Sequence, residues 1–96
     1  VENCYFPKLQ KVGSFSFSKC KIQSLDEDNF PVLRVIGESG FTGCPITSIN
    51  LSSLISIGRK GFEGCKSLKQ FSASNLQKIG DSCFTRCPHL KSIRSD

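Results

Sequence analysis

The chain has 96 residues, of which 13 are Lys or Arg and 8 are Asp or Glu, so its net charge is +5. No stretch approaches the roughly 20 apolar residues of a membrane span, and no apolar run follows a basic start as in a signal peptide. The basic residues are scattered, with no interleaved aromatic residues and no basic helix, which argues against specific nucleic-acid binding. The chain contains no Met and opens at Val1, so we expect a piece of a longer protein.

The most informative feature is a set of residue types that recurs four times at fixed offsets: Leu, then Val or Ile, Gly, Phe and Cys. Successive blocks begin 21 to 24 residues apart. A repeat of this length indicates a stacked solenoid, in which each unit buries its apolar edge against its neighbours. We therefore predict a single leucine-containing repeat solenoid of about four repeats over residues 1–96, and we expect it to be a fragment of a longer array. The blocks begin at Leu9, Leu33, Leu54 and Leu76 and end at Cys20, Cys44, Cys65 and Cys87.

A short strand is predicted before each Leu of the repeat. Residues 70–74 alternate polar and apolar side chains, which is the period of a half-buried strand. Phe71 and Ala73 should face the core, and the polar residues beside them should face outward. The same phase makes Cys4 a strand-core residue rather than a member of the recurring Cys column.

The second unit carries the extra residues DEDN after Leu25, which lengthens its spacing to 24 residues. Insertions in repeat proteins often form loops on one face. The carboxylates of Asp26, Glu27 and Asp28 could hold Ca²⁺ weakly, but they lack the spaced ligand order of a calcium-binding loop. We interpret this insertion as a solvated acidic loop.

The segment from the Gly column to the Cys column spans eight residues in every unit. That length allows about two helical turns, although the second and third copies contain further glycines. We predict short, irregular or 3₁₀-rich helices here. The recurring glycine at the corner before them should supply either a positive φ or a close approach of the backbone.

Four of the six cysteines occupy one column, three residues after the Phe column. In a helical turn this spacing places both side chains on the same inward face. Stacked rungs lie about 4.8 Å apart, which is within disulfide range, but parallel Cα–Cβ vectors make that bond awkward. We therefore favour a ladder of reduced, buried thiols over a ladder of disulfides.

Residues that could support catalysis are scarce. The one histidine, His89, fills the polar slot that Ser67 fills in the preceding unit, and we interpret it as solvated surface. No C-x-x-C pair occurs, and one histidine cannot complete a Cys₂His₂ zinc set. We predict no catalytic, cofactor-binding or metal-binding residues and no enzyme activity.

The repeat pattern L-x-x-I-G-x-x-(small)-F-x-x-C-x-x-L-x-x-I resembles the BspA-like leucine-rich repeats, also called the Treponema pallidum type. The best-matching segments are LISIGRKGFEGCKSLKQF and LQKIGDSCFTRCPHLKSI. The resemblance implies an α/β repeat solenoid: a right-handed leucine-rich-repeat stack with short parallel strands on the concave face and short or irregular helices on the convex side. Members of this family are mostly surface or secreted proteins of bacteria and parasitic protists that are associated with adhesion.

The resemblance therefore implies a non-catalytic interaction or adhesion module, placed at the cell surface or secreted. Its partner would be a protein or an anionic glycan, bound through the exposed sheet. Two alternatives stay open: a structural spacer that holds another domain, and an intracellular scaffold repeat. Uncapped repeats also leave end-to-end self-association open.

Two sets of residues are candidates for partner contact. The first consists of outward strand positions, and the second consists of basic residues in the Leu-x-x-Ile segment, which we expect in register as a positive stripe. Affinity for an anionic partner would then fall as salt rises. The alternative is a solvated face that keeps neighbouring solenoids apart. The candidates are Tyr5, Asn50, Gln70, Ser72 and Arg94 on the strands, and Lys11, Arg34 and Lys78 in the stripe.

Overall fold

The computed structural model describes residues 5–94, with side chains described as far as Lys91; Cys4, the predicted strand-core residue, lies outside this range. Eight strands of two or three residues follow one another along the described chain. They are β1 (Lys11–Val12), β2 (Ser24–Leu25), β3 (Val35–Ile36), β4 (Ser48–Asn50), β5 (Ser56–Ile57), β6 (Gln70–Ser72), β7 (Lys78–Ile79) and β8 (Ser92–Arg94).

The strands form two parallel sheets of four strands each. Sheet A has the order β1-β3-β5-β7 and sheet B the order β2-β4-β6-β8. Every neighbour within a sheet comes from the next repeat, so each repeat adds one rung to both sheets, as a repeat solenoid requires. Sheet B corresponds to the predicted strands, whereas sheet A forms in the Leu-x-x-Ile segment, where no strand was expected.

One continuous hydrophobic cluster fills the interior and includes the inward residues of both sheets. Leu25 and Ile49 of sheet B and Ile36 of sheet A are each at most 1% exposed. The Phe column stacks through the middle of the cluster. Ring centroids are 5.3 Å apart for Phe17 and Phe41, and successive rings along the column are within 8° of parallel. Stacked aromatic pairs at this separation are favourable beyond the area they bury.

The helices predicted between the Gly and Cys columns are not found in residues 5–94, where these segments are runs of turns. We call the four segments 13–20, 37–44, 58–65 and 80–87 the turn ladder. In its second segment, the Gly40 N–H donates to Gly37 O within the turn at 3.1 Å, while the Phe41 N–H donates to Gly61 O in the next repeat at 2.9 Å.

Every second backbone N–H group of the turn ladder therefore points along the solenoid axis and donates to the next repeat, instead of donating to a carbonyl of its own segment as in a helix. The chain achieves this with left-handed residues such as Ser39 (φ 55°) and Gly43 (φ 73°), which interrupt any helical run. An α-helix would satisfy its donors within its own segment. The turn ladder instead needs the next repeat, which gives the solenoid a third line of cross-repeat hydrogen bonds.

The recurring corner glycine is explained by close approach rather than by positive φ. A Cβ built on Gly58 would lie 2.8 Å from Glu38 N and 2.9 Å from Gly37 C, both in the backbone of the preceding rung. At Gly13, in the first rung, a Cβ would meet only Ser16 Oγ of its own segment, at 3.1 Å. The glycine column thus allows one rung to rest on the one before it.

Candidate interaction surface

The outward side of sheet B brings together most of the predicted strand contacts. In the register of β4 and β6, Ser48 aligns with Gln70 and Asn50 aligns with Ser72. The intervening Ile49 is buried, so these polar side chains project to the opposite face. Their columns continue into β8, where Ser92 and Arg94 pair with Gln70 and Ser72; the position of Arg94 is known from its backbone.

A shallow groove runs across this face. It is lined by Asp26, Ser48, Asn50, Gln70 and Ser72, together with Ile49 and Phe71 of the underlying strands. We define the outward side chains of this set as the sheet-B groove. Asp26 was expected only as part of a solvated loop, yet it forms one wall of the groove.

The acidic insertion is ordered by its own side chains, which explains how Asp26 is held. Asp26 Oδ1 accepts hydrogen bonds from the backbone N–H of Asp28 at 2.9 Å and of Asn29 at 3.2 Å. Asn29 Nδ2 donates to Ser24 O at 2.8 Å, and Asn29 Oδ1 accepts from the Asp26 N–H at 2.9 Å. Such Asx turns fix a loop locally.

The insertion is also tied to the following repeat, because Ser52 Oγ donates a hydrogen bond to the Glu27 carboxylate. Glu27 and Asp28 are exposed, as the sequence predicted, whereas Asp26 and Asn29 are partly buried. The spacing of Asp and Asn in DEDN could have indicated this local turn. It could not have shown that the loop stands beside the sheet-B groove.

Tyr5 occupies the repeat position of Asn50, but the structure does not place it in the groove. Its side chain is 67% exposed, and Tyr5 lies outside the eight strands. The backbone next to it is nonetheless anchored, since the Phe6 N–H donates to Asn29 O at 2.8 Å. Tyr5 therefore sits beside the insertion loop, at the N-terminal side of sheet B.

The basic residues do not form the continuous stripe that we expected. Lys11 aligns with Val35, Val35 with Ser56, and Ser56 with Lys78, so two uncharged residues separate the two lysines. Arg34 lies one position earlier, because β3 begins at Val35. This offset was readable in the sequence, where Arg34 directly follows its repeat Leu and each lysine follows one residue later. All three side chains are exposed, and none of them lines the sheet-B groove: Arg34 and Lys78 line two other grooves, in and next to sheet A.

The cysteine column forms a ladder of hydrogen bonds rather than a reactive site. The thiol of Cys44 donates to Phe17 O at 3.0 Å, and that of Cys65 donates to Phe41 O at 3.2 Å. Each acceptor belongs to the preceding repeat. Burial raises the pKa of Cys44 to about 11 and that of Cys65 to about 12, well above the ordinary 9.0. Because the thiolate is the nucleophile, these protonated thiols are poorly suited to covalent chemistry.

Cys83 lies outside the ladder, in the column of small residues before Phe. It is buried, and its thiol donates to Gly58 O at 3.1 Å. Burial raises its pKa as well. All five cysteines within residues 5–94 are free thiols.

The described residues contain no cluster of three or more His, Cys, Asp or Glu side chains that could hold a metal ion. His89 is exposed, as predicted. Within the same range, no helix is long and apolar enough to cross a membrane. The sheet-B groove, with its uncharged amides and hydroxyls beside one carboxylate, is suited to hydrogen-bonded contact with a partner.

Comparison with known proteins identifies the repeat. A family model of six repeat copies, described as the BspA type leucine rich repeat region, matches residues 1–96. No curated protein and no solved structure matches the chain. The match covers the two sheets, the Phe column and the thiol ladder, and the chain belongs to the BspA-type leucine-rich repeat family.

Proposed function

We propose that this chain is a non-catalytic interaction module that binds a protein partner through the sheet-B groove. The observation that carries the proposal is a row of uncommitted polar groups. Within the described residues, the side chains of Ser48, Asn50, Gln70 and Ser72 take part in no hydrogen bond, although the register holds them in two ordered columns. Donors and acceptors fixed in this way can bond to a partner at little further ordering cost.

The groove chemistry favours a partner that offers backbone or side-chain amides. Amides and hydroxyls both donate and accept hydrogen bonds, so they can pair with the N–H and C=O groups of an extended polypeptide. Asp26 adds a negative charge on one side of the groove. A peptide with a basic group near Asp26 would complement this charge. Membership of the leucine-rich repeat family supports protein binding as the class of function.

We further propose that the parent protein displays this module at the cell surface or secretes it for adhesion. The support is the family membership, since BspA-type repeats often occur in surface or secreted proteins. Its alternatives are a spacer that holds another domain in place and an intracellular scaffold repeat. Neither alternative requires a bound ligand at the sheet-B groove.

An anionic glycan is a second candidate ligand, favoured by the distribution of charge. Residues 1–48 contain five basic and five acidic residues, whereas residues 49–96 contain eight basic and three acidic residues. The whole net charge of +5 therefore lies in the second half of the chain. A polyanion would be attracted to that half, and its binding would weaken as salt rises.

A binding screen against immobilised extracellular-matrix proteins and heparin distinguishes these functions. The groove variant Asn50→Arg/Ser72→Arg adds long side chains to the sheet-B groove, and the charge variant Lys11→Glu/Arg34→Glu/Lys78→Glu alters only basic residues in and next to sheet A. Protein binding that the groove variant abolishes and the charge variant preserves would support the proposal. Binding that only the charge variant abolishes would identify an anionic ligand on sheet A instead.

The two variants also serve as folding controls for each other, because all of these side chains are partly or fully exposed. Both should unfold at the temperature of the unsubstituted chain, as followed by circular dichroism. If a protein ligand binds both variants as tightly as the unsubstituted chain, the groove assignment is wrong. If the chain binds neither the proteins nor heparin, the spacer function is favoured.

A further inference from the structure

The chain contains one acceptor sequence for N-linked glycosylation, Asn50-Leu51-Ser52. Such a sequence needs an Asn, any residue except Pro, and then a Ser or Thr hydroxyl. The other asparagines lack that hydroxyl, so any N-linked glycan on these 96 residues is attached to Asn50. The three that lack it are Asn3, which precedes Cys4-Tyr5, Asn29, which precedes Phe30-Pro31, and Asn75, which precedes Leu76-Gln77.

The folded chain can accommodate a glycan at Asn50. Asn50 is the last residue of β4, and its side chain is exposed. Its neighbours Ile49 and Leu51 are each 1% exposed, so they hold this part of the chain in phase and Asn50 projects away from the core. A glycan on Asn50 would therefore extend into solvent without displacing a core side chain.

The rest of the acceptor sequence is held in place by the folded chain. The Leu51 N–H donates to Ser72 O at 3.0 Å. The Ser52 hydroxyl donates to the Glu27 carboxylate, and Ser52 O accepts from Asn75 Nδ2 at 2.7 Å. A transferase that recognises this backbone and this hydroxyl would have to break these contacts and pull Leu51 out of the core. The folded chain is therefore a poor acceptor, whereas the unfolded chain offers the whole sequence.

A glycan on Asn50 would also lie over the sheet-B groove. Asn50 aligns with Ser72 of β6, and neighbouring strands lie only about 4.8 Å apart. Both residues line the groove, together with Gln70 and Asp26. An N-linked oligosaccharide is bulky and hydrophilic. Its first sugar would stand beside the polar side chains of the groove and exclude an extended polypeptide from them.

We propose that Asn50 is an N-glycosylation site that is modified before the chain folds, and that its glycan closes the sheet-B groove. This inference rests on the proposed placement of the parent protein at the cell surface or outside the cell, because the modification takes place in a secretory compartment. The co-reactants are a membrane-bound oligosaccharyltransferase and an oligosaccharide carried on a lipid diphosphate. Asn50 Nδ2 forms a bond to the anomeric carbon and loses one proton. The bond between that carbon and the diphosphate oxygen breaks, and the lipid diphosphate leaves with its electron pair.

Glycosylation then decides which role each copy of the chain plays. Copies without a glycan expose the sheet-B groove and bind a partner. Copies with a glycan keep the same fold and present a sugar-covered face, as a spacer does. Because the acceptor sequence is accessible only until Leu51 packs into the core, transfer competes with folding, and we expect partial occupancy of Asn50.

Secretion of the chain from a eukaryotic host, followed by peptide mapping, tests the site. We expect a glycan on the peptide that contains Asn50. Ser52→Thr keeps the hydroxyl and should remain modified, whereas Ser52→Ala should be unmodified. Secreted chain that carries no glycan at Asn50 would overturn the proposal.

The order of modification and folding is tested with purified oligosaccharyltransferase and a lipid-linked donor. Folded, unmodified chain produced in a bacterial host should accept no glycan, and a synthetic peptide of residues 46–56 should be modified under the same conditions. Equal modification of the folded chain and the peptide would show that transfer does not have to precede folding.

Closure of the groove is tested with a maleimide attached to polyethylene glycol. In the secreted and mildly reduced Ser72→Cys variant, the introduced thiol should react several-fold more slowly in glycosylated than in unglycosylated molecules. The matched control Asn50→Gln/Ser72→Cys/Gln77→Ser moves the acceptor sequence to Asn75, which is exposed and lies outside the set that lines the groove. A glycan there should leave the labelling rate unchanged.

Equal labelling of the two fractions of the Ser72→Cys variant would show that the glycan does not close the groove. These tests require no protein partner, so their failure is distinct from that of the proposed function. An unmodified Asn50 would leave partner binding standing, and a groove that binds no protein would leave the modification standing.

Discussion

The interior and end rungs of this molecule carry the same motif in very different surroundings. Phe41 and Phe62 are fully buried in the second and third rungs, whereas Phe17 and Phe84 are partly buried in the first and fourth. The residue type and its place in the repeat are identical in all four. The difference therefore comes from the neighbouring rungs, which supply the burial in a solenoid.

The same comparison applies to hydrogen bonds. Interior segments of the turn ladder have neighbours on both sides, so their outward donors and acceptors are both used. A globular domain of this size would instead share one core among all its elements. Stability in this chain should accordingly depend on position along the stack more than on residue type.

The largest expected effect is the loss of an interior aromatic ring. Phe62→Ala should lower the free energy of unfolding by about 3 to 5 kcal/mol, since it leaves a cavity between two stacked rings. Phe84→Ala should lower the free energy of unfolding by clearly less, because the Phe84 ring is only partly buried in the folded chain. Urea unfolding curves of the two variants measure the difference. Equal costs would show that burial does not depend on the neighbouring rung.

A smaller effect is expected at the corner glycines. Gly58→Ala forces a Cβ to within 2.8 Å of the preceding backbone, and overpacking of this kind costs about 1 to 3 kcal/mol. Gly13→Ala should leave the unfolding free energy of the monomer nearly unchanged. The pair can be compared by thermal unfolding of dilute protein. A tolerated Gly58→Ala would contradict the close approach of adjacent rungs.

The buried thiols predict a loss of stability in alkali. An unfolded Cys65 thiol ionises near pH 9.0, whereas the folded one keeps its proton until about pH 12. Between these values the unfolded chain binds fewer protons than the folded chain, so the free energy of unfolding falls as pH rises. Cys65→Ser, which can still donate to Phe41 O, should show a shallower decline from pH 9 to pH 12. An equally steep decline would assign the alkaline loss to other groups.

The smallest effect concerns the rates of thiol alkylation near neutral pH. Cys20 and Cys87 are partly buried in the end rungs, and Cys44 and Cys65 are buried in the interior. Iodoacetamide should modify the end cysteines first, because reaction requires access as well as a thiolate. Peptide mapping by mass spectrometry after short exposures gives the order. Interior cysteines that react first would contradict the described burial.

The sequence predicted the core of this fold well, because its periodic columns report burial directly. Phe41, Cys65 and Phe71 are buried as expected from their columns. Sheet A escaped prediction because strands of two residues, such as Ser56–Ile57, are too short to show an alternating pattern. The turn ladder was mistaken for helix because eight residues fit two helical turns, and the positive φ values of Ser39 and Lys60 have no glycine to indicate them.

The candidate surface was predicted only in part, for a related reason. Alternation along a strand placed Asn50 and Ser72 on one face, and the structure groups them as expected. The contribution of Asp26 depends on side-chain hydrogen bonds within an insertion that three of the four units lack. The proposed stripe overlooked a one-residue offset at Arg34, and such an offset moves a side chain to another column.

Hydrogen exchange of individual amides in dilute protein tests most directly the claim that each rung depends on its neighbour. The N–H groups of Phe41 and Phe62, whose acceptors are Gly61 O and Cys83 O of the following rungs, should exchange slowly. The corresponding N–H groups of Phe84 and Arg86 should exchange rapidly, because no described residue accepts from them. Equally slow exchange in all four would contradict the account, since it would require donors that are satisfied within their own segment, as in a helix.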